Sequence, residues 1–119
     1  MERKRLGKLG ELVALQYLQK HGYQVLERNF KIKSGEIDLI AVEAGDLVFV
    51  EVKTRLGLNF GLPEEAVTTR KISHIKKAAF YYRNLHPNLP ASLRIDVVSI
   101  SLSENGLLES IKILKNITG

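Results

Sequence analysis

Gly35–Arg55, GEIDLIAVEAGDLVFVEVKTR, reads as two apolar strands joined by a short turn, and it carries three charges where such strands ordinarily carry none. Ile37, Leu39 and Ala41 share one face of the first strand, with Ile40 and Val42 on the other; on the second, Val48, Val50 and Val52 oppose Leu47 and Phe49. A sheet apolar on both faces is covered on both sides, and an unpaired charge inside it costs several kcal/mol. Asp38, Glu51 and Lys53 therefore need partners.

The turn decides how the three charges meet. With Ala44-Gly45 as a two-residue loop, Glu43 pairs with Asp46 and Asp38 lies opposite Glu51; with Gly45-Asp46 as the loop, Asp38 lies opposite Lys53. Either register puts all three on one face, at the end beyond Ile40, Val42, Leu47 and Phe49. Cross-strand carboxylates about 5 Å apart repel unless one is protonated or a cation stands between them. Their oxygens suit magnesium or manganese, and the neighbouring lysine points at whatever the ion holds. Lys53 is the only covalently attached counter-charge that this hairpin brings to the two acids. The plainer reading is a structural ion pair between Lys53 and one acid, with solvent beside the other.

Asp, a gap, then Glu-x-Lys on the next strand resembles the PD-(D/E)XK nuclease superfamily. The order of Gly7–Glu11 (GKLGE), Gly35–Ile40 (GEIDLI), Val48–Arg55 (VFVEVKTR), Arg70-Lys71 and Asp96–Val98 is similar to that of the YraN-like family of small bacterial proteins, predicted relatives of archaeal Holliday-junction resolvases. The proline of the superfamily's name is replaced by Ile37, at a position that shapes a strand and supplies no ligand. The resemblance implies a Mg2+- or Mn2+-dependent endodeoxyribonuclease. Asp38 and Glu51 would be its metal ligands, Glu11 and Lys53 further catalytic residues, and Arg55 and Lys71 contacts to nucleic acid. It also implies branched DNA as substrate and a symmetric homodimer.

At 119 residues the chain suits one domain spanning 1–119. Hydrophobic content of 45% and charged content of 26% are ordinary for a globular protein, and no apolar run approaches the roughly 20 residues of a membrane span. The start, MERKRLGKLGE, lacks the apolar stretch of a signal peptide, and the absence of cysteine excludes disulfides and thiolate metal sites. A cytoplasmic protein is expected, with no membrane partner. Eighteen basic against 13 acidic side chains leave a net charge of +5, which favours a polyanion such as DNA. From Ala66 to Ile95 there are six lysines and arginines and no acid.

Leu6 to about His21 reads as a helix closed by Gly22. Glu11 shares its core side with Gly7, Ala14, Leu15 and Leu18, and is either a first-turn acid favoured by the helix dipole or a ligand for metal or water. The two glycines around it permit close packing. Tyr23–Lys33 is the first strand, Ser34-Gly35 its turn, and Leu56–Pro63 (LGLNFGLP) a loop leaving the Lys53 end of the hairpin. Thr68 caps a second helix running to about Leu85, before the break at His86–Pro90. Ile72, Ile75, Ala78, Ala79, Tyr82 and Leu85 form its apolar arc, and Arg70, His74, Lys77 and Tyr81 lie opposite. Arg70 and Lys77 are candidate phosphate contacts. Lys71 falls on the core side near the helix start, within reach of the charged end of the hairpin. Leu93–Leu102 and Leu107–Leu114 are two further strands, and Asp96 is read as the structural partner of an arginine or lysine. The three histidines receive no role. The order αβββαββ predicts an α/β sandwich, a mixed central sheet flanked by helices as in the restriction-endonuclease-like fold.

Overall fold

Ala44 and Gly45 both sit at positive φ, 51° and 80°, the left-handed pair of a two-residue turn whose twist matches the strands it joins. This selects the first of the two registers open to the sequence, with Glu43 opposite Asp46 and the ladder continuing to Leu39 opposite Val50. The computed structural model describes residues 2–57 and 67–118. Their elements are α1 (Arg3–Lys20), β1 (Gln24–Ile32), β2 (Gly35–Glu43), β3 (Asp46–Leu56), α2 (Thr69–Leu85), β4 (Leu93–Leu102) and β5 (Leu108–Leu114). The loop expected at Leu56–Pro63 lies, from residue 58 on, outside the described residues.

The five strands form one sheet in the order β1-β2-β3-β4-β5. All neighbours run antiparallel except β3 and β4, which pair in parallel from Leu47–Leu93 to Leu56–Leu102. A parallel pair needs a long crossover, and α2 lies on it. The expected α/β architecture with a mixed sheet is present. α1 begins one turn earlier than the sequence suggested, at Arg3, because exposed Arg3, Lys4 and Arg5 are good helix formers and the Leu6 N–H already bonds the Glu2 carbonyl at 2.9 Å. It ends as expected: Gly22 has φ 87°, and the N–H groups of Tyr23 and Gly22 return to the carbonyls of Leu18 and Gln19. The β1–β2 turn is Lys33-Ser34, since Ile32 already pairs with Gly35. Thr68 caps α2 by accepting the Lys71 N–H at 3.1 Å. Among the described residues no helix is long and apolar enough to cross a membrane.

Helices cover both faces of the sheet. On one, Ala14 and Leu18 of α1 pack with Leu39, Ala41, Val48, Val50, Val98 and Ile100. On the other, Ile75, Ala78, Ala79 and Tyr82 of α2 pack with Ile37, Ile40, Leu47, Phe49 and Ile95. A fully buried side chain such as Phe49 stabilises the fold by about 1.5–3 kcal/mol. Gly10 sets the approach of α1, because a methyl there would run into the Thr54 hydroxyl of β3. Gly7 has open space around its α-carbon, so only one of the two glycines serves close packing. A second expectation is corrected at Ile37, which packs on the α2 side and not with Leu39 and Ala41. The strict alternation of β2 breaks at Asp38, between them, where the ladder with β3 ends.

At the turn end of the sheet, Arg94 is surrounded by acids. It meets Asp96 through Nε and Nη2 at 2.9 Å each, Asp46 through Nη1 at 2.9 Å and Glu43 through Nη2 at 2.6 Å. Asp96, fully buried, also accepts the Tyr23 hydroxyl at 2.7 Å and the Asn116 N–H at 2.9 Å. Asp96 is thus the structural partner of an arginine, as its setting in the sequence suggested.

Candidate active site

The charged end of the hairpin is a fork. β2 pairs with β3 only as far as Leu39–Val50, whereas β3 runs on to Leu56 with β4 along its other side. Past the fork the Asp38 carboxylate takes over, its Oδ2 accepting the Val52 N–H at 2.8 Å. A cleft of about 590 Å³ opens there, lined by Gly7 and Glu11 of α1, by Asp38, and by Glu51, Lys53 and Arg55 of β3. From the first turn of α2, Lys71 reaches Glu51.

Glu51 is the centre of the cluster and is only 3% exposed. Its Oε1 stands 3.7 Å from the Lys53 ammonium and its Oε2 stands 3.6 Å from that of Lys71. These are ion-pair distances beyond good hydrogen-bond length, and among the described residues Glu51 Oε2 has no hydrogen-bond partner although it is buried. Lys53 is therefore not the sole counter-charge. Lys71 reaches across from the other layer, as its place on the core side of the helix start suggested.

Burial first, and then the adjoining Glu51 carboxylate, push the Asp38 carboxyl up to about 8, with Glu11 adding to the rise and the Val52 N–H and Lys71 opposing it. Burial also raises Glu51, against the pull of Lys71, Lys53 and a hydrogen bond with Asp38. Two carboxyls coupled in this way share one proton near neutrality.

Glu11 borders the same cleft but is engaged elsewhere: its Oε1 accepts Asn29 Nδ2 at 2.6 Å, and Asn29 also donates to Glu36 Oε1 at 2.9 Å. Asn29 and Glu36 were missed from the sequence. The available signal was an asparagine inside an otherwise strand-like run, and Asn29 indeed takes a left-handed φ of 53°. Among the described residues no group of three or more His, Cys, Asp or Glu side chains is placed to hold a metal. The fold thus brings together Asp38, Glu51, Lys53 and Lys71, sets Glu11 and Arg55 at the cleft wall, and leaves Arg70 and Lys77 exposed on α2. For a hard divalent cation that keeps several waters, two carboxylates with one buried, unbonded oxygen are a fitting donor set.

Fold and cleft together define a mixed α/β protein with a buried glutamate, a half-buried aspartate and two lysines where β2 and β3 part. The chain belongs to the Uncharacterised protein family UPF0102, whose family model matches residues 10–100. It is 52% identical over 103 residues to a UPF0102 protein of Syntrophomonas wolfei subsp. wolfei, covering 87% of this chain and 89% of that one. A UPF0102 protein of Caldicellulosiruptor saccharolyticus is 41% identical over 116 residues, 98% of each chain. One from Geobacter metallireducens is 45% identical over 103 residues, 87% of this chain and 84% of the relative.

Proposed function

We propose that this protein is a metal-dependent nucleic-acid phosphodiester hydrolase, an endonuclease acting on DNA. The observation that carries the reading is the Asp38–Glu51 pair, Glu51 buried and Asp38 half-buried, with two ammonium groups on Glu51 where β3 runs on past its ladder with β2. Asp38 and Glu51 would hold Mg2+ or Mn2+, which when bound supplies a polarised water and offsets phosphate charge. Lys53 orients the attacking water and stabilises the charge that grows on the phosphoryl oxygens. Lys71 and Arg55 neutralise the bound phosphate. Glu11, fixed by Asn29, positions a water at the cleft wall. The homodimer and the preference for branched DNA carried by the family resemblance belong to this reading, and solution mass and a panel of branched substrates test them.

A second reading, a catalytically silent nucleic-acid-binding module, is favoured by one observation: Glu51 already has two lysine partners and no third acidic, histidine or cysteine donor joins it among the described residues. The experiment is cleavage of branched and single-stranded DNA with Mg2+ or Mn2+. Wild type should cut, and Asp38→Asn, Glu51→Gln and Lys53→Ala should each lose orders of magnitude in rate, because metal and charge stabilisation supply several kcal/mol of the barrier reduction. Equal cutting by wild type and Asp38→Asn identifies a contaminant and ends the assignment. Salt-sensitive binding without turnover on any substrate supports the silent module.

A further inference from the structure

One side of α2, running past Gly35 of β2 to Phe30 of β1, leads toward an aromatic groove. Arg70, His74, Lys77 and Tyr81 recur at helical spacing, and Arg70 and Lys77 are exposed. The stripe begins beside Lys71, the Glu51 partner, and at 1.5 Å per residue it rises about 16 Å to Tyr81. Tyr81 is 53% exposed, unusual for a large aromatic side chain, and its ring lies 6.4 Å from that of Phe30 on β1, tilted by 31°. Phe30 is braced in turn, edge-on to Tyr82 at 5.0 Å, and Tyr82 is edge-on to buried Phe49 at 6.1 Å. The groove between Tyr81 and β1 has a volume of about 630 Å³, with Phe30, Ile32 and Leu85 as its apolar lining and Lys31 and Lys33 on its rim.

The charge around this groove is one-sided. No acid occurs from Ala66 to Ile95. Of the acids on the neighbouring strands, Glu36, the cross-strand partner of Lys31, accepts from Asn29, and Glu27 faces the Tyr82 hydroxyl. A rigid, half-exposed aromatic ring set among lysines is the combination that holds an unpaired base by stacking while cations follow its phosphates. A base inside a duplex has both faces covered and cannot use it.

We propose that the Tyr81–Phe30 groove is a base-stacking site, and that Arg70 and Lys77 guide a single-stranded segment between it and the cleft. This rests on the nucleic-acid reading above and adds to it a substrate class: nucleic acid with an unpaired stretch beside the attacked phosphodiester.

The test measures binding of a fluorescent single-stranded oligonucleotide and of the blunt duplex of the same sequence, at one salt concentration, to wild type, Tyr81→Ala and Tyr81→Phe. Tyr81→Ala should weaken single-strand binding by about 5- to 150-fold, as loss of one stacked base does, and leave duplex binding unchanged. Tyr81→Phe keeps the ring and should bind as wild type. Equal loss for both nucleic acids, or no loss for either, overturns the stacking site while wild-type binding keeps the broader reading alive. Absence of any salt-sensitive binding by wild type overturns both. If Tyr81→Ala instead dissociates a dimer and leaves single-strand affinity intact, the groove is a contact between copies of the chain and the proposal fails.

Discussion

Asp38 Oδ2 accepts the main-chain N–H of Val52 at 2.8 Å, so a side chain occupies the place that a backbone carbonyl of β2 would hold in a continued ladder. The acid is thereby tied to the strand that carries Glu51 and Lys53. Asp38→Asn keeps an acceptor for Val52 and a neutral group beside Glu51, so metal-free thermal stability should be unchanged near neutrality and raised at pH above about 8, where the carboxyl would ionise. Asp38→Ala leaves the N–H without its partner and should cost about 1–3 kcal/mol. Thermal melts of the two variants decide it, and a larger loss in Asp38→Asn than in Asp38→Ala would contradict the role given to this bond.

A pH dependence follows from the same carboxyl. Its pKa lies near 8 in the folded chain and near 4 when unfolded, so between these values the native state holds the extra proton. That contribution is complete below the unfolded value and is lost as pH rises through about 8. Glu43, held low chiefly by its hydrogen bond from Arg94, acts oppositely and loses its contribution as pH falls through the acid range. Urea midpoints of the metal-free protein should therefore decline from about pH 5 to about pH 8, and this decline should flatten in Asp38→Asn. Stabilisation by Mg2+ or Mn2+ should grow over the same interval, since the ion displaces the proton. Parallel profiles for wild type and variant would refute the assignment.

The two ammonium groups on Glu51 divide one task. Lys53 and Lys71 are each about one-third exposed, with side-chain accessibilities of 30% and 34%, so solvent discounts either pair alone. Lys53→Met or Lys71→Met should lower metal-free stability by only about 1 kcal/mol, and the double change by more than the sum. Adding Glu51→Gln to the double variant should restore most of the loss. Strict additivity in denaturant titrations would mean that the two lysines do not share the charge.

Gly10 and Gly7 should respond differently to a methyl group. Gly10→Ala pushes α1 off Thr54 and should cost about 1–3 kcal/mol. Gly7→Ala meets nothing and should be neutral or gain up to about 1 kcal/mol, by helix propensity. Comparison of the two melting temperatures separates packing from propensity.

How much of this was readable in the chain differs by residue. Asp38, Glu51 and Lys53 could be brought together because a period of two and the Ala44-Gly45 turn are local facts. Both helices, all five strands and the core role of Tyr82 followed from periodicity in the same way. The transfer of Ile37 to the α2 side was not readable, because it follows from the ladder's end at Asp38, where a side chain and not the backbone takes the Val52 N–H. Lys71 was legible as a core-side lysine at the helix start within reach of this end, and only its choice of Glu51 was not; Asn29 between Glu11 and Glu36 joins elements from different parts of the fold, and no spacing rule connects them.

The Arg94 cluster bears on how long the native state lasts. Tyr23 and Asp96 are 73 residues apart, and Arg94 lies 51 and 48 residues from Glu43 and Asp46. None of these contacts can close until the crossover through α2 has delivered β4 to the edge of β3, so they are expected late on the way to the native state. Interactions absent from the folding transition state act on the rate of opening. Arg94→Met, which strands the buried Asp96 charge, should therefore raise the unfolding limb of the chevron and leave the folding limb nearly superposed on wild type. On this expectation the cluster at the far end of the sheet from the cleft should govern the lifetime of the folded chain more than the speed at which it is reached.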